Sequence, residues 1–237
     1  MTVQVDLKKL LETGAHFGHQ SRRWDPKMKD YLYETDSDIS IFDLVKTKEG
    51  LDEALKVLSN AAKEDKSIVL VGTKRQVNKK VGEVAKNAGI YFVNERWLGG
   101  TLTNFEQINK SLEKMADMKK TQAEGGYKKY TKKERLLIDR EIERLKRFFG
   151  GIEGLERLPD LIVVVDVKKE AVVVREANMT GIEVVGIVDS NSDPDGVDYV
   201  IPMNDDAVAA LAYVLDLMQE AILEGKSAKP AKKAAKK

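Results

Sequence analysis

Short, wholly apolar segments alternate with amphipathic ones along much of this chain. The apolar segments have the length of strands, and they occupy residues 68–71, 90–93, 161–165, 184–188 and 199–201. Amphipathic stretches with helical spacing occur between or after them, at residues 76–87, 169–178 and 206–223. Val- and Ile-rich strands that do not alternate with polar residues are typical of a parallel sheet buried on both faces. The pattern therefore predicts an α/β fold with a parallel sheet flanked by helices.

Four elements are predicted before the first of these strands. Residues 5–13 place leucines on one helical face, and residues 44–62 repeat apolar positions at helical spacing. Two short apolar segments, 31–33 and 39–42, lie on either side of a polar turn and predict a β-hairpin. The glycines, histidines and arginines of residues 14–24 predict a loop between the first helix and this hairpin.

Residues 104–157 interrupt the α/β pattern with two long amphipathic segments. Their apolar positions are spaced by three or four residues, at Phe105, Ile108, Leu112 and Met115 and again at Ile138, Ile142, Leu145 and Phe149. Two adjacent glycines, Gly125 and Gly126, lie between the segments. This spacing predicts two antiparallel α-helices that pack as a coiled-coil hairpin inserted in the α/β domain.

The predicted organisation has three parts. Residues 1–103 and 158–224 form the α/β domain, residues 104–157 form the inserted coiled-coil hairpin, and residues 225–237 form a basic tail. The tail consists mainly of Lys, Ala and Pro and has no large apolar side chains to bury. We therefore expect it to be disordered.

The net charge of +1 conceals a strong regional asymmetry. Residues 1–157 carry 31 basic and 25 acidic residues, whereas residues 158–224 carry 3 basic and 14 acidic ones. The tail adds six lysines and no acidic residue. A basic N-terminal part can face phosphate groups while the acidic part faces solvent or a basic partner, so a nucleic-acid ligand is compatible with the near-neutral total.

Composition also excludes several classes of protein. The chain of 237 residues has no cysteine, which excludes disulfides and thiolate metal sites and favours a reducing, cytoplasmic location. No apolar run approaches the roughly 20 residues of a transmembrane helix, and no signal peptide is evident, so we expect no membrane association.

The most informative segment for function is the loop predicted between the strand at 90–93 and the first long helix. It contains a guanidinium group, an indole ring, two glycines, two hydroxyl groups and an amide, in Arg96, Trp97, Gly99, Gly100, Thr101, Thr103 and Asn104. Arginine binds phosphate bidentately, glycine lets backbone N–H groups approach a ligand, and tryptophan stacks on bases. No acid–base pair or nucleophile accompanies them, so the loop predicts nucleic-acid binding rather than catalysis.

Two other basic segments predict the same chemistry. The first contains His16, Arg22, Arg23, Trp24 and Lys27, and Trp24 is equally compatible with a place at the edge of the core. The second follows the strand at 68–71, where Lys74 and Arg75 precede a helix N-terminus, a position that favours anions.

An enzyme that binds a nucleotide in the sheet crevice is the first alternative, and a protein-only scaffold acting through the coiled coil is the second. The strand at 68–71 is followed by a single glycine instead of the spaced glycines of a dinucleotide site, and no phosphate-binding P-loop motif occurs. The acidic segment 189–196 lacks the ligand spacing of a calcium loop. We therefore predict no catalytic residue and no small-molecule substrate.

A metal site is a further hypothesis. Asp189, Asp205 and Asp206 follow predicted strands, and the carboxyl ends of parallel strands share one edge of a sheet. If His19 approaches them, the four side chains form a histidine–carboxylate set that suits zinc. We otherwise predict no cofactor.

Five segments of the sequence together resemble a known family, that of the bacterial second protein of the small ribosomal subunit. They are LLETGAHFGH at 10–19, RRWDPKM at 22–28, RWLGGTLTN at 96–104, PDLIVVVD at 159–166 and GIVDSNSDP at 186–194. The resemblance spans residues 5–224. It implies a flavodoxin-like (Rossmann-like) α/β domain with an inserted coiled-coil hairpin.

The resemblance also implies a structural role in translation. A member of this family is expected to bind 16S ribosomal RNA (rRNA) in the cytoplasm, to contact other small-subunit proteins, and to help dock the first protein of that subunit. The side chains assigned to RNA contact, with the two tryptophans in support, are His16, Arg22, Arg23, Trp24, Lys27, Lys74, Arg75, Arg96, Trp97, Thr101, Thr103 and Asn104.

Overall fold

A parallel five-stranded sheet is the centre of the computed structural model, which describes residues 3–228. Its strands are β4 (Ile68–Val71), β5 (Tyr91–Val93), β6 (Leu161–Val165), β7 (Glu183–Val188) and β8 (Tyr199–Pro202). They are ordered β5-β4-β6-β7-β8, and every neighbouring pair is parallel. The predicted α/β class and parallel sheet are confirmed.

Strands β4 and β6 are apolar throughout, because both faces of the sheet are covered by helices. Ile68 and Leu70 belong to one hydrophobic cluster, and Val69 and Val71 belong to another. Alternate side chains of a strand point to opposite faces, so a strand between two clusters has no polar side. The flanking helices are α2 (Leu44–Lys63), α3 (Asn78–Ala88) and α7 (Val208–Ser227) in the first cluster and α6 (Ala171–Thr180) in the second.

Helices α2 and α7 approach each other closely at one glycine. A Cβ atom on Gly225 would lie 2.1 Å from the carbonyl oxygen of Ser59, which is far inside van der Waals contact. Gly225 belongs to α7, so this helix continues beyond residue 224, where the sequence predicts the α/β domain to end. The predicted tail from residue 229 onward lies outside the described residues.

A second, antiparallel sheet forms near the N-terminus. The predicted hairpin is present as β2 (Leu32–Asp36) and β3 (Ile39–Phe42), and the first helix, α1 (Leu7–Glu12), begins after Asp6, whose side chain accepts a hydrogen bond from the N–H of Lys8. The segment predicted as a loop contains a third strand, β1 (Phe17–Gln20), paired with β3. This strand has no alternating apolar pattern, and only its pairing with β3 reveals it.

Two long helices follow β5 and precede β6. They are α4 (Phe105–Ala123) and α5 (Lys132–Phe149). Ile108 and Phe149 share one cluster, while Gln122 donates a 2.8 Å hydrogen bond to Asp139, so the chain reverses direction between the helices. The buried positions of α4 are Ile108, Leu112 and Met115, and those of α5 are Ile142, Leu145 and Phe149. The two helices are therefore observed, and their coiled-coil geometry stays a prediction.

No helix within residues 3–228 combines the length and the apolar character needed to cross a membrane.

Candidate nucleic-acid interface

Side chains of opposite charge meet at the edge of the five-stranded sheet where its strands end. One ammonium group and four carboxylates come from the segments after β4, β6, β7 and β8, namely Lys74, Asp166, Asp189, Asp205 and Asp206. Nζ of Lys74 lies 2.6 Å from Oδ1 of Asp205, 2.7 Å from Oδ1 of Asp206 and 3.1 Å from Oδ2 of Asp166. We call this group the Lys74 cluster.

His19 joins the Lys74 cluster from β1. Its Nδ1 lies 3.0 Å from Oδ1 of Asp189, and its Nε2 lies 3.4 Å from Oδ2 of Asp206. The hydrogen bond to Asp189 raises the pKa of His19 above its ordinary value of 6.5, although partial burial opposes this shift. The contact places the end of β1, and the arginines after it, at the carboxyl edge of the sheet.

Two carboxyl groups of the Lys74 cluster have shifted pKa values. Burial, followed by the charges of Asp189 and Asp166, raises the pKa of Asp205 to about 7. Burial also opposes ionisation of Asp189, but its hydrogen bond with His19 helps to bring that pKa below its ordinary value. The two pKa shifts thus have opposite directions, because burial and nearby carboxylates dominate at Asp205, whereas hydrogen bonds from His19 and the N–H of Asp205 dominate at Asp189.

The side chains of the zinc site that the sequence suggests form ion pairs with one another and with Lys74. His19, Asp189 and Asp206 do come together, yet within residues 3–228 no three His, Asp or Glu side chains are placed to hold a metal ion. The ammonium group of Lys74 pairs with Asp166, Asp205 and Asp206 from inside the fold, while Asp189 pairs with His19. Lys74 is therefore engaged internally, in contrast to the phosphate contact that the sequence assigns to it.

The pKa of His19 provides the first prediction. We expect the imidazole of His19 to titrate above pH 6.5 and the Asp189→Asn variant to lower that pKa, because the variant removes the acceptor charge. A histidine whose pKa is raised by folding stabilises the protein fully below its unfolded pKa, and this contribution is lost as the pH rises through the folded pKa. NMR titration of the two histidines tests this. His16, whose pKa burial lowers, is the internal reference, and a His19 pKa at or below that of His16 would contradict the assignment.

The loop at residues 96–104 encloses a carboxylate of its own chain. Oε1 of Glu176, on α6, accepts hydrogen bonds from the indole N–H of Trp97 at 3.2 Å and the backbone N–H of Gly100 at 2.9 Å. Oε2 accepts from the backbone N–H of Leu102 at 3.0 Å and from both the N–H and the hydroxyl of Thr103 at 3.2 Å. The donors expected to bind a phosphate thus bind an internal anion.

Burial opposes ionisation of Glu176, but the hydrogen bonds from Leu102, Gly100 and Thr103 outweigh it and lower the pKa of this carboxyl group. A carboxylate that accepts several backbone N–H bonds is held in its charged form. Sequence reasoning missed Glu176. The available signal is its position on the buried face of α6, three residues after Val173 and next to Ala177, both of which are buried.

This arrangement changes the roles of three predicted RNA-binding residues. Trp97 is 8% exposed and packs in the second hydrophobic cluster, so its ring is not a free stacking surface. Thr101 is buried and donates its hydroxyl to the carbonyl of Leu98. The hydroxyl of Thr103 donates to Glu176. Arg96, Thr103 and Asn104 are exposed, in contrast to Trp97 and Thr101.

The other predicted residues divide in a similar way. Nζ of Lys27 lies 2.7 Å from Asp193 and 2.5 Å from Asp195, so its charge is already paired at the surface. The ring of His16 lies 4.0 Å from that of Phe17, and burial lowers the pKa of His16. Trp24 is 36% exposed and lies at the surface rather than within the core.

The four arginines among the predicted RNA-binding residues form a separate group. Arg22, Arg23, Arg75 and Arg96 are exposed, and within the described chain no carboxylate lies within 4.0 Å of any of them. Arg75 follows β4 and Arg96 follows β5, while Arg22 and Arg23 follow β1. Arg75 and Arg96 thus belong to connections at the carboxyl edge of the five-stranded sheet, and Arg22 and Arg23 lie between His19 and Asp25, which contact Asp189 and Ser190 at that edge. We call these four arginines the edge arginines.

The sequence also matches a protein-family model. The family model of ribosomal protein S2 matches residues 10–225, which is most of the chain. The chain belongs to the ribosomal protein S2 family.

The ribosomal protein S2 family consists of structural proteins of the small ribosomal subunit and is not a family of enzymes. Membership places the chain at the ribosome, which is cytoplasmic in bacteria. The match includes both the segment that carries Arg22 and Arg23 and the loop that encloses Glu176.

Proposed function

We propose that this ribosomal protein S2 family member binds 16S rRNA through the edge arginines and helps to dock the first protein of the small subunit. The observation that carries the RNA-binding proposal is the availability of four exposed guanidinium groups, without carboxylate partners in the described chain, on one edge of the sheet. Guanidinium groups bind phosphate oxygens bidentately, and phosphate contacts dominate the affinity of proteins for nucleic acids.

The remaining residues of the predicted interface have secondary roles in this proposal. Asn104 and Trp24 lie at the surface and can add hydrogen bonds and stacking, and His16 and Thr103 lie close to the basic segments. Lys27 and Lys74 can meet phosphate only by exchanging an existing carboxylate partner, and Trp97 and Thr101 support the shape of the loop from inside.

The docking of a protein partner is supported by the charge asymmetry. Residues 158–224 carry 14 acidic and 3 basic residues, so this part is poorly suited to RNA and well suited to a basic protein surface. We further propose that residues 104–157 form an inserted coiled-coil hairpin on the domain built by residues 1–103 and 158–224.

The double variant Arg22→Ala/Arg96→Ala tests RNA binding. We expect it to weaken binding to 16S rRNA, to lower incorporation into small subunits, and to flatten the dependence of log K on log[salt] by about two, since roughly one phosphate contact is lost per arginine. The matched control is Lys56→Ala/Lys63→Ala on α2, which removes the same charge from another surface. An unchanged salt dependence in the arginine variant, or equal losses in both variants, would count against the proposal.

A further inference from the structure

The connection between α4 and α5, together with the first turn of α5, holds the whole basic excess of residues 101–157. Residues 101–157 contain 14 basic and 10 acidic residues, and five of the basic residues but only one of the acidic residues lie in 125–135. The rest of 101–157 therefore has nine charges of each sign. We call residues 125–135 the α4–α5 tip.

The cations of the α4–α5 tip have no carboxylate partners among the residues that the structure describes. Within residues 3–228, no Asp or Glu oxygen lies within 4.0 Å of the five cationic side chains, which are Lys128, Lys129, Lys132, Lys133 and Arg135. Elsewhere on α4 such pairs do form, as between Lys114 and Glu141 at 3.1 Å and between Lys119 and Glu153 at 2.6 Å. The tip thus concentrates five cations and one acidic residue in eleven positions, whereas the rest of residues 101–157 is balanced in charge.

The only acidic side chain of the tip is already engaged. Oε2 of Glu134 accepts hydrogen bonds from the N–H and the hydroxyl of Thr131 at 2.8 and 2.9 Å, and these bonds lower its pKa. The carboxylate is part of the capping box of α5. It therefore holds the start of the helix in place and forms no ion pair with the neighbouring lysines.

Two tyrosines lie among these cations. The ring centroids of Tyr127 and Tyr130 are 5.6 Å apart, with planes at 81°, so the face of one ring meets the edge of the other. Tyr130 is 47% exposed and presents its ring to solvent. Unpaired cations beside an exposed aromatic ring are the combination that binds single-stranded nucleic acid, because bases stack on the ring while the cations neutralise phosphates.

We propose that the α4–α5 tip is a second RNA-binding site, which holds an unpaired stretch of RNA with one base stacked on Tyr130. This inference rests on the proposed function, the binding of ribosomal RNA through the edge arginines. Helix α4 has 19 residues and is about 28 Å long, so the tip lies far from the loop at residues 96–104 that precedes the helix. Two RNA sites at this distance on one chain bind a folded RNA with higher avidity than either site alone.

A charge-matched pair of full-length variants tests the tip. The tip variant carries Lys128→Gln, Lys129→Gln, Lys132→Gln and Lys133→Gln. The shaft variant carries Lys110→Gln, Lys120→Gln, Arg140→Gln and Lys146→Gln, four exposed cations of α4 and α5 that also lack carboxylate partners in the described chain. Circular dichroism of both variants is the control that checks whether they keep their helices.

The RNA probes are a 12-nucleotide oligouridylate and a 12-base-pair RNA duplex. We expect the tip variant to weaken oligouridylate binding by about tenfold or more and to flatten its salt dependence by about three, and the shaft variant to change affinity by less than about threefold. Tyr130→Ala should weaken oligouridylate binding by about tenfold with little effect on the duplex, and Tyr130→Phe, which keeps the ring, should bind as the wild type does.

Several outcomes would overturn the tip proposal. Equal losses in the tip and shaft variants, or unchanged oligouridylate binding in the tip variant or in Tyr130→Ala, would each do so. Loss of binding to small-subunit proteins with full retention of RNA binding would identify a protein site instead. The proposed function fails separately, if the wild-type protein does not bind 16S rRNA. If the wild type binds and only Arg22→Ala/Arg96→Ala weakens binding, the tip proposal alone fails.

Discussion

Replacing Glu176 with alanine should lower the free energy of unfolding by about 3 kcal/mol, since it removes a buried charge from its hydrogen-bonding partners. The carboxylate accepts hydrogen bonds from Trp97, Gly100, Leu102 and Thr103, and its residue is only 5% exposed. Without it, the buried indole N–H and the N–H of Leu102 lose their acceptor. Urea unfolding measures the loss, and a change in midpoint with an unchanged slope identifies it as a stability effect.

The isosteric variant Glu176→Gln separates charge from shape. A glutamine side chain fills the same space but presents an NH₂ group to N–H donors on one side. We therefore expect Glu176→Gln to lose a substantial part of the unfolding free energy that Glu176→Ala loses. Glu220→Ala, at an exposed position of α7, is the control and should lie within about 0.5 kcal/mol of the wild type.

Hydrogen exchange reports on the loop directly. In Glu176→Ala the amides of Gly100, Leu102 and Thr103 should exchange faster than in the wild type, because these N–H groups lose their acceptor. If the three amides keep their protection, the carboxylate does not hold the loop. The result also bears on RNA binding, because Arg96 belongs to the same loop and loses its fixed position when the loop opens.

Replacing Lys74 with methionine should cost about 3 kcal/mol at pH 8, since the substitution leaves buried carboxylates without their cation. Nζ of Lys74 contacts Asp166, Asp205 and Asp206, of which the first two are buried. Methionine keeps most of the side-chain volume and removes the charge alone. The exposed Lys79→Met on α3 is the matched control, for which we expect a change within about 0.5 kcal/mol.

The destabilisation of Lys74→Met should shrink as the pH falls. The pKa of Asp205 is already about 7 in the folded protein, against an ordinary value of 3.8, and loss of the ammonium group raises it further. Between the two values the folded state binds more protons than the unfolded state, so stability decreases as the pH rises through this range. Urea unfolding at pH 5 and pH 8 measures the difference, and an effect that is equal at both values, or larger at pH 5, would contradict the role assigned to Lys74.

The sheet and most helices could be predicted because their signals are local. The apolar runs at 68–71 and 161–165 match β4 and β6 residue for residue, and the run at 39–42 matches β3. Helix ends were less well predicted: the helix predicted to end at residue 223 continues to Ser227. Strand β1 was missed since its residues, Phe17–Gln20, become a strand only by pairing with β3.

The candidate site was only partly predictable, because its contacts join residues that are distant in the sequence. Residue types at 96–104 indicated anion binding, and the loop does bind an anion, but that anion is the carboxylate of Glu176. The sequence could not show that Lys27 is paired with Asp193 and Asp195, at positions more than 160 residues away. Only the folded chain distinguishes exposed arginines such as Arg96, which has no carboxylate partner within residues 3–228, from paired lysines such as Lys27.

Hydrophobic periodicity by itself determined the α/β class of this protein, its parallel strands and the two long helices that follow β5, because burial of apolar side chains is encoded at a spacing of two to four residues. The motif segments determined its family. Only the tertiary structure decided which polar groups meet one another and which stay free for a ligand. Glu176 and Gly100 are 76 residues apart, and Lys74 and Asp205 are 131 apart. The partner of a charged group depends on how the sheet brings distant connections to one edge, and this follows from the complete fold.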